Sequence, residues 1–583
     1  MSKSIFCGLL GSLLIIVGCS HSTQPQPDTT ASPTTATEIV DDTAFRPFPG
    51  DSLHDLLVAE VAVQRKEFSL ALKLYLKQAR ETRDIAVIAR TTRLAQYIKA
   101  DPIALEAAEL WLEIDPNSIE AHYTCATMRS KKAQFLTALQ HMEKVLTLGG
   151  NTNFNAIAGS ALKAPELKRK VLLDELQKLS SKHPNNSQLY TAQALLQQSL
   201  EALETALASS QLAIQYDAKN LQAIAIESRL LQELGRNEEA LRKLQIALKE
   251  FPRNIRLRLQ LARLLLNSDL TAAAEQFELL LAEQPDNPDF LLSVALIYIE
   301  IKDLANAKEY FQQLLATGQR SDQAHFYLAK IAEHEGEKGT AIQHLAAIRQ
   351  GNDYIAATNQ IAELYARNNQ LPDARAVFQQ RRNENPTIAL PLYLLEAELL
   401  FKLKEYKESH QLLSAALKNH PQQTNLLYMR SMVSEKRNDF TLMEADLRNI
   451  IDLKPDNAMA LNALGYVLAN RNQQLEEAFN FITRALAIKP GDPAILDSLG
   501  WVEYRRGNLI KAEQLLQQAY QNFPDPEVAA HLGEVLWQLE KYHEAKTIWR
   551  RAQQKHPKHP VLIDTMQRFQ DESALSTSQP PAS

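Results

Sequence analysis

Residues 490–524 read PGDPAILDSLGWVEYRRGNLIKAEQLLQQAYQNFP. In the first half, Ile495 and Leu499 stand at the spacing of one apolar face of an α-helix. Gly507 then interrupts the pattern, and a second apolar stripe around Leu516 ends at a proline, which cannot continue a helix. The stretch therefore predicts two short amphipathic helices joined by a tight turn.

The same features recur in the flanking segments, residues 455–490 and 524–557. Each has a leucine–glycine pair in its first helix and an alanine early in its second: Leu464-Gly465 with Ala478, Leu499-Gly500 with Ala512, and Leu532-Gly533 with Ala545. Small residues are required where two helices cross closely. A hairpin this short cannot bury its apolar face alone, so we expect neighbouring units to stack.

This combination resembles the tetratricopeptide repeat, a helix–turn–helix unit of about 34 residues. Prolines and turn residues keep that period from Pro116 to Pro557. The resemblance implies an all-α, right-handed superhelical solenoid of about 14–15 helical hairpins, some degenerate.

The regularity of the repeats predicts the division of the folded body. We expect less regular repeats, a regular array, a capping helix and a disordered tail at residues 50–219, 220–557, 558–572 and 573–583, respectively. Pro165 interrupts the segment at residues 151–184. That segment is either a degenerate repeat or a joint between two arms.

The N-terminus predicts export and a lipid anchor. Residues 1–18 combine Lys3 with an apolar core, as a signal peptide does, and this core is shorter than the roughly 20 residues that span a membrane. The sequence IVGC ending at Cys19 resembles the bacterial lipobox, which implies cleavage before Cys19 and lipidation of it; an ordinary signal peptide with an incidental cysteine is the alternative. By the same resemblance, Ser20 favours the outer membrane. Residues 19–49 are rich in Ser, Thr and Pro, which predicts a disordered linker.

Composition and motifs exclude several functions. The net charge of −6 and pI near 6.2 lack the basic footprint of a nucleic-acid-binding protein. The sequence has no nucleotide-binding glycine loop, Gly-x-Ser-x-Gly elbow or His-Glu-x-x-His motif, and its histidines are scattered. We therefore predict no catalytic residue, metal site or cofactor, and no enzymatic activity. Cys125 is predicted to be a buried apolar residue.

Stacked hairpins offer a long concave surface lined by their first helices. In the C-terminal repeats this face would carry aromatic residues beside polar ones, the combination that protein interfaces use as anchors. The candidate partner-binding residues are Tyr466, Trp501, Tyr504, Arg505 and Trp537. The alternative is that both tryptophans pack between neighbouring repeats.

The overall layout also resembles a narrower family, outer-membrane tetratricopeptide lipoproteins that bind a periplasmic carboxy-terminal processing protease. Cys19, the linker and the opening segment, residues 56–84, carry this likeness. It implies a lipid-anchored adaptor facing the periplasm that activates the protease and brings cell-wall hydrolases to it. The alternatives are a scaffold for pilus-secretin assembly or exopolysaccharide export, and an enzyme built on a helical solenoid.

Overall fold

The computed structural model of the chain describes residues 50–349, 351 and 353–576. The predicted signal peptide, Cys19 and the linker lie outside these residues. All regular structure in the described part is helical, with 31 α-helices, one short 3₁₀ helix and no β-strand. The all-α prediction is therefore confirmed. No helix within these described ranges combines the length and apolar character that crossing a membrane requires.

The chain divides into two compact units, and the division falls between Ala202 and Leu203. In the described part of the first unit, successive helices pack as hairpins. Its nine helices are α1 (Gly50–Gln64), α2 (Phe68–Thr82), α3 (Ile85–Tyr97), α4 (Asp101–Ile114), α5 (Ile119–Lys131), α6 (Phe135–Thr147), α7 (Phe154–Ala161), α8 (Glu166–Lys182) and α9 (Ser187–Ser199).

The second unit continues the pattern over its described residues, with a 3₁₀ turn at Pro386–Ile388. Its helices are α10 (Leu203–Tyr216), α11 (Leu221–Glu233), α12 (Asn237–Glu250), α13 (Ile255–Leu265), α14 (Leu270–Glu283), α15 (Pro288–Ile301), α16 (Leu304–Ala316), α17 (Ser321–His334), α18 (Lys338–Ala347), α19 (Tyr354–Arg367), α20 (Leu371–Glu384), α21 (Ala389–Lys402), α22 (Tyr406–Asn419), α23 (Thr424–Lys436), α24 (Phe440–Leu453), α25 (Ala458–Asn470), α26 (Leu475–Ile488), α27 (Pro493–Arg505), α28 (Leu509–Asn522), α29 (Pro526–Gln538), α30 (Tyr542–Lys555) and α31 (Pro560–Ser576).

Local sequence signals fix where these helices begin and turn. Before α27, the carboxylate of Asp492 accepts hydrogen bonds from the backbone N–H groups of Ala494 and Ile495, an N-cap that satisfies two otherwise free donors. Between α27 and α28, Gly507 adopts a left-handed φ of 85°, which glycine tolerates without strain. The predicted turn of residues 490–524 is thus present.

The leucine–glycine pairs lie where the two helices of a hairpin approach most closely. A Cβ atom added to Gly500 would lie 2.6 Å from Leu516 Cγ, and one added to Gly465 would lie 2.9 Å from the carbonyl oxygen of Ala478. At Gly533, the indole of Trp549 occupies the corresponding space. The hairpins can therefore close only without a side chain at these positions.

The division into compact units and the predicted change in repeat regularity are different features. The compact units separate between Ala202 and Leu203, because α10 packs on α11 within the second unit. The change from less regular to regular repeats at residue 219 stays a prediction. Helix α31, at the place predicted for a capping helix, runs from Pro560 to Ser576. The disordered tail stays a prediction as well.

Pro165, which was expected to interrupt the segment at residues 151–184, is the N-cap of α8. Its φ of −53° and ψ of 149° place it in the extended conformation that precedes a helix. The interruption is therefore the turn between the short helix α7 and α8. Whether this segment acts as a joint stays a prediction.

Candidate protein-binding surface

The predicted partner-binding residues lie on α25, α27 and α29, the first helices of three successive hairpins. These helices pack on one another, α25 on α27 and α27 on α29. At their meeting point is a group of side chains that we call the His531 cluster. It consists of Tyr466, Asp497, Trp501, Tyr504, Glu527, His531, Glu534 and Arg568.

His531 is the centre of the cluster and is only 4% exposed. Its ring stacks on the indole of Trp501 with 4.1 Å between centroids, and its Nδ1 donates to the carboxylate of Asp497 at 3.0 and 3.1 Å. Burial disfavours the charged imidazole, but Asp497 outweighs it, aided by Glu527 and Glu534, so the pKa of His531 is raised. The result is a buried ion pair between two neighbouring repeats.

The tyrosines of the cluster donate to carboxylates on later helices. Tyr466 donates its hydroxyl hydrogen to Glu527 at 2.8 Å, and Tyr504 donates to Glu534 at 3.1 Å. Burial, followed by the adjacent carboxylate, raises the pKa of both phenols above their ordinary range. Arg568 of α31 also donates to Glu534, at 3.0 Å. Each carboxylate in the cluster thus has a donor, and the cluster fixes the relative positions of four helices.

The structure places the predicted residues at different depths. Trp501 is 5% exposed, because it lies between His531 and Tyr504, and it therefore presents little surface to a partner. Trp537 is half-buried and packs against the rings of Trp549 and Phe569. For both tryptophans, packing within the array accounts for the aromatic pattern, which is the alternative that the sequence left open. Trp501 is too deep to act as an exposed anchor, whereas a partner-binding role for the half-buried Trp537 stays a prediction.

Tyr466, Tyr504 and Arg505 remain partly exposed on this face. The guanidinium of Arg505 lies 5.9 Å from the centre of the Trp501 ring, so a cationic group covers the buried indole. Buried in the same region are two polar atoms without a hydrogen-bond partner, Trp501 Nε1 and Asn462 Oδ1. These two atoms lie beneath the face, which itself presents the partly exposed tyrosines and Arg505.

Sequence reasoning did not find His531, Glu527 or Arg568. His531 immediately precedes the Leu532-Gly533 pair, a place occupied by Ala463 and Ser498 in the preceding repeats. The signal in the sequence was that this place holds a titratable residue, His531, where the preceding repeats have a small one. Its partner Asp497 is one repeat away and becomes recognisable only in the folded array.

Cys125, the cysteine of the described part of the chain, is fully buried and has a free thiol. Burial, followed by the charge of Glu109, raises the pKa of this thiol to about 12. Because the thiolate is the nucleophilic form, Cys125 has the inert character expected of a packing residue. This prediction is confirmed.

Comparison with known proteins identifies the class to which this array belongs. The family model for the tetratricopeptide repeat matches four segments, residues 227–288, 292–355, 436–493 and 498–560. The two last segments include most of the His531 cluster. Repeats of this family are generally non-catalytic scaffolds for protein–protein interaction.

A full-length relative defines the family more closely. The chain is 38% identical over 551 residues to the TPR repeat-containing protein PA4667 of Pseudomonas aeruginosa, a match covering 92% of this chain and 90% of that protein. The chain therefore belongs to the family of tetratricopeptide-repeat proteins and is a protein-interaction scaffold.

Two more distant likenesses accompany this one. The chain is 21% identical over 324 residues to cellulose synthase operon protein C of Pseudomonas fluorescens, covering 52% of this chain and 24% of that protein. A solved tetratricopeptide repeat protein from Parabacteroides merdae is 13% identical, with a TM-score of 0.34, and the match covers 42% of this chain and 98% of that one.

Proposed function

We propose that this chain is a membrane-tethered adaptor of the bacterial periplasm, which binds and activates a carboxy-terminal processing protease and presents cell-wall hydrolases to it. The signal-peptide pattern, the lipobox-like sequence ending at Cys19 and the opening segment at residues 56–84 support this role. Acyl chains on Cys19 would hold the chain at the outer membrane, since two or more chains give stable anchoring where one does not.

The observation that carries the binding role is the rigid support beneath the partly exposed residues of α25 and α27. Tyr466 and Tyr504 are each fixed by a carboxylate on another helix, and Arg505 lies over a buried indole. Aromatic and arginine side chains dominate binding energy at protein interfaces. Side chains that are already immobile lose less conformational entropy on binding, so this face is prepared to receive a partner.

An array with several separate surfaces can hold a protease and its substrate at the same time. Their encounter then becomes intramolecular. The effective concentration of the substrate at the protease can reach about the millimolar range, as for two modules joined by a short flexible linker. This is the physical advantage of a non-catalytic adaptor in proteolysis. It also explains why many stacked repeats are useful where a single hairpin would bind one partner only.

The adaptor role is tested by adding the purified full chain to a purified carboxy-terminal processing protease from the same cell. We expect faster cleavage of a purified cell-wall hydrolase, and a loss of this acceleration when Tyr504→Ala and Arg505→Ala are combined. Arg253→Ala, which removes an arginine whose side chain is 88% exposed elsewhere in the second unit, is the matched control. An unchanged cleavage rate with the unmodified chain would refute the proposal.

The anchor is tested separately by fractionation. Cys19→Ser removes the proposed lipidation site without touching the described body. We expect the variant to fold and to move from the membrane to the soluble fraction. Retention of the variant in the outer-membrane fraction would contradict lipid anchoring through Cys19.

A scaffold in exopolysaccharide export is the second candidate. The likeness to cellulose synthase operon protein C over 52% of this chain favours it. This role predicts that the full chain co-purifies with an outer-membrane pore, whereas the adaptor role predicts co-purification with a protease. Crosslinking in intact cells before purification distinguishes the two.

A further inference from the structure

Two histidines face each other across the hairpin formed by α5 and α6. The Nδ1 atoms of His122 and His141 are 2.9 Å apart, with 5.2 Å between the ring centroids and 46° between the ring planes. His122 is buried, and His141 is half-buried. The Nδ1 atoms of both rings therefore lie in the same small space between α5 and α6.

The same arrangement occurs in the second unit, between α17 and α18. His325 Nδ1 and His344 Nδ1 are 3.0 Å apart, the centroids are 5.3 Å apart and the rings are inclined by 43°. Both pairs are separated by 19 residues in the chain. The repeat architecture does not require histidine at these positions, since in the hairpin of α13 and α14 the guanidinium of Arg258 donates to Gln276 instead.

The surroundings of His122 determine which of its two ring nitrogens carries the hydrogen. Its Nε2 lies 3.0 Å from the carbonyl oxygen of Pro116, and because a carbonyl can only accept, Nε2 carries the hydrogen. In the neutral ring Nδ1 is then the acceptor of the 2.9 Å hydrogen bond, in which His141 Nδ1 donates, and a bound ion would take the place of that shared hydrogen. A backbone carbonyl that orients the remote ring nitrogen in this way is the usual support of a metal-binding histidine.

The charged groups near the two pairs are partly compensated. Arg129 near His141 is paired with Glu109, and Lys308 near His344 is paired with Glu335. Lys144 lines the cavity beside the first pair, and Glu143 of the same cavity is paired with Lys182.

We propose that each histidine pair binds one divalent transition-metal ion of the zinc, copper and nickel class through its two Nδ1 atoms. Imidazole nitrogens suit these ions and bind zinc at about 2.0–2.1 Å, which places the two nitrogens roughly 3.3 Å apart in a tetrahedral site. The observed separations of 2.9 and 3.0 Å require the rings to part by only a few tenths of an ångström.

The protein supplies two ligands at each site. Within the part of the chain that the structure describes, no group of three or more His, Cys, Asp or Glu side chains is placed to hold a metal ion. Beside the first pair, an open cavity of ≈ 500 Å³ lined by His122, His141 and Glu143 leaves room for water molecules. Water would fill the remaining coordination positions of an ion bound at this pair.

Calorimetric titration of the untagged full chain with zinc chloride tests the proposal, because a polyhistidine tag would itself bind the ion. We expect two zinc ions per chain, one in either His141→Ala or His344→Ala, and none when both are replaced. His54→Ala is the control, since the His54 side chain is 76% exposed and belongs to neither pair. This variant should bind as many ions as the unmodified chain.

Copper(II) bound to the same proteins gives a second readout that a purely structural histidine would not affect. We expect an electron paramagnetic resonance spectrum with superhyperfine splitting from two nitrogen donors, absent in the double variant. Circular dichroism shows whether each variant is folded, and His141→Gln replaces His141→Ala if the latter is not. Zinc binding by the unmodified chain with the same stoichiometry as the folded double variant, or no binding at all, would overturn the proposal.

Discussion

Replacing Gly500 by alanine tests whether the glycine is required by the hairpin crossing. In an exposed helix interior, this change stabilises a protein by about 0.5–1 kcal/mol, because glycine loses more backbone entropy on folding. At Gly500, however, the new Cβ would lie 2.6 Å from Leu516 Cγ, 3.0 Å from Leu516 Cδ2 and 3.3 Å from the carbonyl oxygen of Ala512. Leu516 is fully buried in a packed cluster, so its side chain can move only by displacing its neighbours.

Overpacking of this kind costs about 1–3 kcal/mol. After the gain in helix propensity, we expect Gly500→Ala to lower the free energy of unfolding by up to about 2 kcal/mol. Each kcal/mol corresponds to a Tm shift of about 2–4 °C for a cooperative unit of 150–250 residues. Thermal and urea unfolding followed by circular dichroism measure the change.

The matched control is Gly339→Ala in the same unit. Gly339 lies in α18, and an added Cβ would meet nothing within 4 Å. This variant should be as stable as the unmodified protein or more stable by up to about 1 kcal/mol. If Gly500→Ala proved as stable as Gly339→Ala, the close crossing of α27 and α28 would not limit the residue at this position.

Three further predictions concern buried positions of the second unit. The pKa of His531 is raised in the folded state, so its ion pair with Asp497 stabilises the fold fully below the unfolded pKa of about 6.5, and this stabilisation is lost as pH rises through the folded pKa. Asp497→Asn should remove this pH dependence, as measured by urea titrations at several pH values. Glu396, 1% exposed, accepts from Arg382 at 2.6 Å, so Glu396→Ala should leave that buried guanidinium unpaired and cost about 3–5 kcal/mol, whereas a loss below about 1 kcal/mol would show that solvent reaches it. Ala512→Leu should overpack the same hairpin crossing by about 1–3 kcal/mol, and an unchanged melting curve would show that the repeat register is wrong.

Features repeated along the chain could be predicted from the sequence. The glycine and alanine positions follow from the period itself, because every hairpin must solve the same packing problem at the same place. Gly500, Gly465 and Ala512 therefore lie where the pattern put them. The depth of Trp501 could not be predicted, since neighbouring positions on one helix face point either to the next repeat or to the surface, and periodicity does not separate them.

Contacts between residues at non-equivalent positions of the repeats could not be predicted from the sequence either. His531 and Asp497 are 34 residues apart, and His122 and His141 are 19 apart. Neither spacing is a local motif, because each depends on how one helix is rotated against the next. The scattered histidines of the sequence form pairs only after the hairpins have closed.

The hydrogen bond between Tyr466 and Glu527 joins α25 to α29. It therefore connects two hairpins that are separated in the chain by a whole hairpin, α27 and α28. In an ideal repeat array each unit is stabilised only by its immediate neighbours, so unfolding can proceed inward from an end one hairpin at a time. We expect a link between next-nearest repeats to couple the unfolding of the last three hairpins. Amide protons throughout these hairpins should then exchange with solvent at similar free energies of opening, instead of becoming progressively less protected toward the C-terminus.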